Sequence, residues 1–187
     1  MKMINIDLVI DKIIQEVYTK SKDYLSLIIN ENARVENYFS VIILGKLDKL
    51  KKEKLISNFD FQYLVKENKR KHVDFLIELS DKFYLIELKH LAIDNHFKSE
   101  NRRTLSFYTR TKNSGTKVGI IGDLDKLEKI ENNISNKKIL LAIITNPPSK
   151  DEVNKKLIEL CKERKKWRFE YHVEKENKIG FIIAKMD

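Results

Sequence analysis

Residues 70 to 91 read RKHVDFLIELSDKFYLIELKHL, two consecutive hydrophobic runs of strand character with an aspartate in the first and a Glu-x-Lys in the second. Alternation puts Val73, Phe75, Ile77 and Leu79 on one side of the first run and Asp74, Leu76 and Glu78 on the other. In the second run Phe83, Leu85, Glu87 and Lys89 share one face, and Tyr84, Ile86, Leu88 and His90 share the opposite one. Residues two apart on a strand lie on the same side about 6.5 Å from each other. Glu87 and Lys89 therefore project together. A hairpin closed at Ser80-Asp81 brings Asp74 within reach of both. Two carboxylates and one ammonium at one end of a sheet suit a divalent metal and a polarised water.

Outward from this hairpin, Ile6, Val9, Ile10, Ile13, Ile14 and Val17 recur at helical spacing over 6 to 20, and a short helix fits 22 to 29. Asn30 or Asn32 can cap a longer helix over 33 to 51, whose apolar stripe is Val35, Phe39, Ile42, Ile43, Leu47 and Leu50. Glu36 sits in its first turn beside that stripe. Phe59 to Val65 precedes the hairpin as a third strand, so the three form an antiparallel meander. A polar connection over 92 to 113 leads to a helix near 115 to 131, although GTKVGIIG also allows a short strand or a broken helix. Ile139 to Thr145 is a buried strand without a charge. An amphipathic helix over 149 to 165 turns Val153, Leu157, Leu160 and Cys161 inward, and strands near 168 to 174 and 179 to 185 close the chain. This order predicts an α/β fold: a mixed sheet flanked by helices in a single domain over 1 to 187, with residues 1 to 30 as a helical extension packed on it.

The 187 residues carry 37 Lys and Arg against 28 Asp and Glu, a formal charge of +9 that favours a polyanionic partner. The charge clusters in KSENRRTLSFYTRTK (98 to 112), with Lys98, Arg102, Arg103, Arg110 and Lys112, and in KERKKWR (162 to 168). A solvated helix face is an equal reading of the second patch. Charges interrupt every apolar run of the first residues, so neither a secretory signal nor a membrane span is expected, and a cytoplasmic location is. One cysteine, Cys161, excludes an intramolecular disulfide and reads as a buried apolar residue. His72, His90, His96 and His172 lack zinc-ligand spacing and read as surface or strand-end residues, with phosphate contact an alternative for His90 and His96. Trp167 reads as a core residue or a base-stacking one. No Gly-rich phosphate loop of the G-x-x-x-x-G-K-[ST] kind is present.

Asp74 in HVDFLIEL, Glu87-Leu88-Lys89 in FYLIELKH, and an acid on the preceding helix resemble the PD-(D/E)XK nuclease superfamily over residues 33 to 145. The resemblance implies a restriction-endonuclease-like fold with the core order αβββαβ, here extended by N-terminal helices and a C-terminal αββ. It further implies a metal-dependent nuclease, cutting DNA in restriction, defence, repair or mobile-element settings, or a catalytically inactive nucleic-acid-binding or assembly module on the same scaffold. Asp74, Glu87 and the Leu88 carbonyl would hold Mg2+ or Mn2+, Lys89 would be the catalytic lysine, and Glu36 would serve a second metal or a water. The customary proline before the aspartate is Val73 here. Members often carry Gln or Lys on the helix after the Glu-x-Lys strand, a place open to Lys117 or Lys126, and Lys117 also belongs with the nucleic-acid-contacting residues. Enzymes of this superfamily that cut both strands often act as homodimers or within larger complexes. Without the resemblance, the same residues fit an edge strand with Asp74 and Glu78 in solvent and a surface ladder of Glu87 and Lys89.

Overall fold

The computed structural model describes residues 4–24, 36–65, 72–92, 119–130, 136–145, 147, 149–173 and 179–186. The expected helix over 22 to 29, the caps Asn30 and Asn32, and the basic segment 98 to 112 lie wholly or largely outside these residues.

Helix α1 (Ile6–Ser21) begins at Asn5, whose Oδ1 accepts the Leu8 N–H at 2.9 Å. That bond satisfies one of the first-turn donors left open by helix geometry. Helix α2 (Glu36–Lys52) turns Phe39, Ile43, Leu47 and Leu50 inward at spacings of one helical turn. An ion pair of 3.0 Å between Lys46 and Glu16 links the two helices.

Strands β1 (Asn58–Leu64), β2 (His72–Leu79) and β3 (Lys82–Ala92) form the expected antiparallel meander. Ser80 and Asp81 close the β2–β3 hairpin with φ of 49° and 61°. Left-handed backbone at both central residues matches the right-handed twist of the flanking strands, and aspartate tolerates it better than most residues. Helix α3 (Ile120–Glu128) follows Gly119, whose φ of 83° admits glycine readily, so the Ile120-Ile121 pair opens a helix rather than a strand. The chain continues through β4 (Asn136–Thr145), α4 (Lys150–Glu163), β5 (Trp167–Val173) and β6 (Ile179–Met186).

Among the described residues the strands form one six-stranded mixed sheet in the order β1-β2-β3-β4-β6-β5. β3 and β4 are parallel and the other neighbours antiparallel. Helices α1 and α2 pack on one face, over Phe75, Ile77, Ile86, Leu88, Ile139, Leu141 and Phe181. Helices α3 and α4 pack on the other, over Leu85, Leu140, Ala142, Ile144 and Ile182. From Ile139 to Ile144 β4 is buried on both faces, which explains the uninterrupted apolar run there. No helix among the described residues is long and apolar enough to cross a membrane.

Two expectations need correction. Cys161 is exposed. The buried stripe of α4 is Val153, Leu157 and Leu160, and one residue further rotates Cys161 about 100° toward solvent. Val73 does not share a core with Phe75, Ile77 and Leu79, but packs with Val65 on the opposite face of the sheet. The β2–β3 ladder ends at Phe75↔Ile86, and on the other side of β2 Gln62 has φ 50° between the pairs Phe61↔Phe75 and Tyr63↔Val73. Both strands therefore turn over at one level. Phe61 meets Phe75 with ring centroids 5.5 Å apart, while Tyr63 joins the core of Val73.

Replacing Leu47, fully buried on the inner face of α2, with alanine is expected to lower the unfolding free energy by about 2–5 kcal/mol in a denaturant titration. Cys161→Ser, on the exposed side of α4, is expected to change it by no more than about 0.5 kcal/mol.

Candidate active site

The site starts where β2 and β3 separate. Beyond Phe75↔Ile86 the Leu88 N–H has no β2 ladder partner, and it donates instead to Asp74 Oδ2 at 2.7 Å. A carboxylate thus takes the place of a strand carbonyl. Because β2 lies between β1 and β3, the edge-strand reading of Asp74 fails. Leu88 itself is buried, its side chain in the α1–α2 core.

Glu87 and Lys89 extend from the face covered by α3. Asp123 in the first turn of α3 and Lys126 one turn later share a side of that helix. Lys126 Nζ contacts Glu87 Oε1 at 2.5 Å. Lys89 Nζ stands 3.7 Å from Asp123 Oδ2 and 3.7 Å from Glu36 Oε2. Glu36 reaches round the end of the sheet from the other helical layer, and its Oε2 accepts the His90 N–H at 3.0 Å. The structure thus gathers Glu36, Asp74, Glu87 and Lys89, and places Lys126 of α3 beside them. Lys98, Arg102, Arg103, Arg110, Lys112, Lys117 and His96 lie outside the described residues.

Asp123 had no place in the sequence reading. Its signal was available: Asp123 and Lys126 each immediately precede a buried leucine, Leu124 and Leu127, and so border the apolar stripe of α3.

Burial decides the electrostatics. The Glu87 side chain retains 8% of its exposure and that of Asp123 18%. Glu87 Oε2 and Asp123 Oδ2 are buried and accept no hydrogen bond among the described residues. Desolvation, then the charge of Asp74, pushes the Glu87 carboxyl up to about 7 against the pull of Lys126. Desolvation also raises Asp74, opposed by the Leu88 N–H and Lys126, and raises Asp123, opposed by Lys89 and Lys126. Four carboxylates face two ammonium groups, and the excess negative charge lies where water is scarce.

Neighbouring polar groups have other tasks. The His90 ring projects to the opposite face, 5.4 Å from the Phe39 ring and 3.2 Å from Thr145 Oγ1, and burial holds its pKa down to about 4. It packs as a neutral ring against α2 and β4. Within KERKKWR, Arg164 bonds Glu128 at 3.1 Å through Nη1 and also Asp125, and the buried Trp167 donates Nε1–H to Glu128 at 2.7 Å. This part of the basic patch anchors α3 to the α4–β5 junction. Among the described residues no three carboxylate, imidazole or thiol groups are grouped closely enough to form an all-protein metal cage.

No protein-family model, no characterised protein and no solved structure matches the chain.

A carboxyl raised from 4.5 to about 7 in the folded state binds its proton more tightly there than in the unfolded chain. The stability it contributes is complete below about pH 4.5 and is lost as pH rises to about 7. Asp74 and Asp123, also raised, act in the same sense. In metal-free buffer, the unfolding midpoint is expected to fall over this range, and Glu87→Gln to flatten the slope; an unchanged slope in thermal melts from pH 4 to 8 would contradict the assignment.

Proposed function

We propose that the chain is a divalent-metal-dependent nuclease of the PD-(D/E)XK superfamily, with a restriction-endonuclease-like fold, cleaving phosphodiester bonds in DNA as an endonuclease. The observation that carries this reading is Glu87: a carboxylate with one buried oxygen lacking a hydrogen bond among the described residues, beside a second carboxylate, on a strand where an apolar residue would cost nothing. Such an arrangement is unfavourable alone and becomes favourable around a cation.

The donors fit magnesium. This ion prefers oxygen ligands, keeps several waters, and needs only one or two carboxylates from the protein. Asp74 and Glu87 supply them, with the Leu88 carbonyl as the third oxygen that the superfamily resemblance offers. Bound there, the ion would neutralise charge on the scissile phosphate and lower the pKa of a water. The remaining work belongs to the chain. Lys89, set by Glu36 on one side and Asp123 on the other, directs an ammonium toward the attacking water and the phosphate. Glu36 holds the end of β3 through the His90 N–H and offers its carboxylate to an outer water or a second ion. Asp74 fixes the separation of β2 from β3, on which the position of Glu87 depends.

The net charge of +9 supports a polyanionic substrate. One observation favours a second reading, a non-catalytic nucleic-acid-binding or assembly module: Lys126 already neutralises Glu87 without any metal. Magnesium or manganese incubations with supercoiled, linear, single-stranded and junction DNA, and with RNA, separate the two. Asp74→Ala and Lys89→Ala are each expected to reduce cleavage by about 100-fold or more, the scale of losing one group that stabilises transition-state charge. Full activity in either folded variant removes that residue from the mechanism, and metal titration that does not differ between wild type and Asp74→Ala favours the non-catalytic module.

A further inference from the structure

We propose that Lys126 is a built-in counter-cation, which occupies the Glu87 carboxylate in the metal-free protein and must leave it for a divalent ion to bind. The inference rests on the reading that Asp74 and Glu87 hold that ion.

Three observations support it. Lys126 Nζ lies 2.5 Å from Glu87 Oε1 while Oε2 of the same carboxylate is buried and accepts no hydrogen bond among the described residues, so the ammonium satisfies one oxygen and does not serve the other. A single donor on one oxygen is an incomplete substitute for an ion that can meet Glu87 and Asp74 together. Secondly, the exchange costs little rearrangement. Lys126 keeps 30% side-chain exposure and ends a flexible four-carbon stem, whereas Glu87 is confined at 8% within the sheet. The lysine is the member of the pair free to move, and its path leads outward. Thirdly, the other lysine is differently placed: Lys89 lies 3.7 Å from both Glu36 and Asp123 and is not paired with Glu87. The two lysines therefore pair with different carboxylates, Lys126 with Glu87 and Lys89 with Glu36 and Asp123. A divalent ion on Glu87 would displace only Lys126, by direct repulsion between like charges at contact distance. The displaced ammonium then lies at the mouth of the site, where a phosphate would arrive.

A residue that merely orients a metal ligand weakens metal binding when removed. A competitor does the reverse. Lys126→Met is accordingly expected to bind Mn2+ about tenfold more tightly than wild type in calorimetric titration, a change of the size usual for residues contacting metal ligands but opposite in sign. Lys126→Gln, which keeps amide donors for Glu87 without the charge, provides the same comparison if the methionine variant folds poorly. In both, saturating Mn2+ should raise the thermal unfolding midpoint by more than in wild type. Binding that is abolished by Asp74→Ala but unchanged or weakened in both Lys126 variants overturns the counter-cation and leaves the nuclease reading intact. No binding in wild type or in either Lys126 variant overturns both.

Discussion

The hydrogen bond from the Leu88 N–H to Asp74 is the constraint on which the rest of the site depends. A sheet propagates by pairing every backbone donor with a carbonyl on the next strand, and the ladder between the second and third strands stops at Phe75↔Ile86. Separation of two strands in a buried region would leave unpaired N–H groups at a cost of about 1–3 kcal/mol each. A carboxylate at the point of divergence accepts one of them. It thereby converts a defect in the sheet into a place where a charged group is both tolerated and fixed.

The fork also explains the behaviour of the first strand. Gln62, at φ 50°, stands opposite Asp74 in register. Side chains before and after that level face different cores, with Phe61 and Phe75 on one side and Tyr63 and Val73 on the other. A regular strand would have kept Val73 under α2, and Asp74 would then have followed the ordinary alternation of its neighbours. The turnover allows an apolar residue to stay buried on either side of an acid that serves the open end.

Much of this was legible in the sequence, and for a simple reason. A period of two assigns faces without knowledge of the partner strands, so the common side of Glu87 and Lys89 and the hairpin at Ser80-Asp81 follow from residue order alone. The reach of Glu36 followed from its position in a helical first turn beside an apolar stripe. Where strict periodicity failed, so did the reading. Val73 depends on an irregularity that no alternation encodes, and Cys161 lay one residue past the stripe, where a 100° step separates core from solvent. Asp123 and Lys126 depend on which helix crosses the end of the third strand, a tertiary fact. The sequence left Lys117 and Lys126 equal because the helix expected near 115 to 131 contains both; packing of Leu124 and Leu127 against the sheet places Lys126 over Glu87.

Both helical layers bring charge to one sheet end, and each is held by contacts remote from it. Helix α2 carries Glu36 on a helix fixed by Phe39, Ile43 and Leu47. Helix α3 carries Asp123 and Lys126, and is fixed by its leucines and by Arg164 and Trp167 acting on Asp125 and Glu128. The frame is therefore anchored by apolar burial and by an ion-pair network lying outside the cluster itself. Within the cluster the balance is different, since among the described residues the acids outnumber the cations and two buried oxygens accept no hydrogen bond. A rigid frame around an unbalanced charge cannot relieve the imbalance by shifting strands. Relief comes from the parts that can move, the lysine side chains, and from the proton that Glu87 retains up to about pH 7.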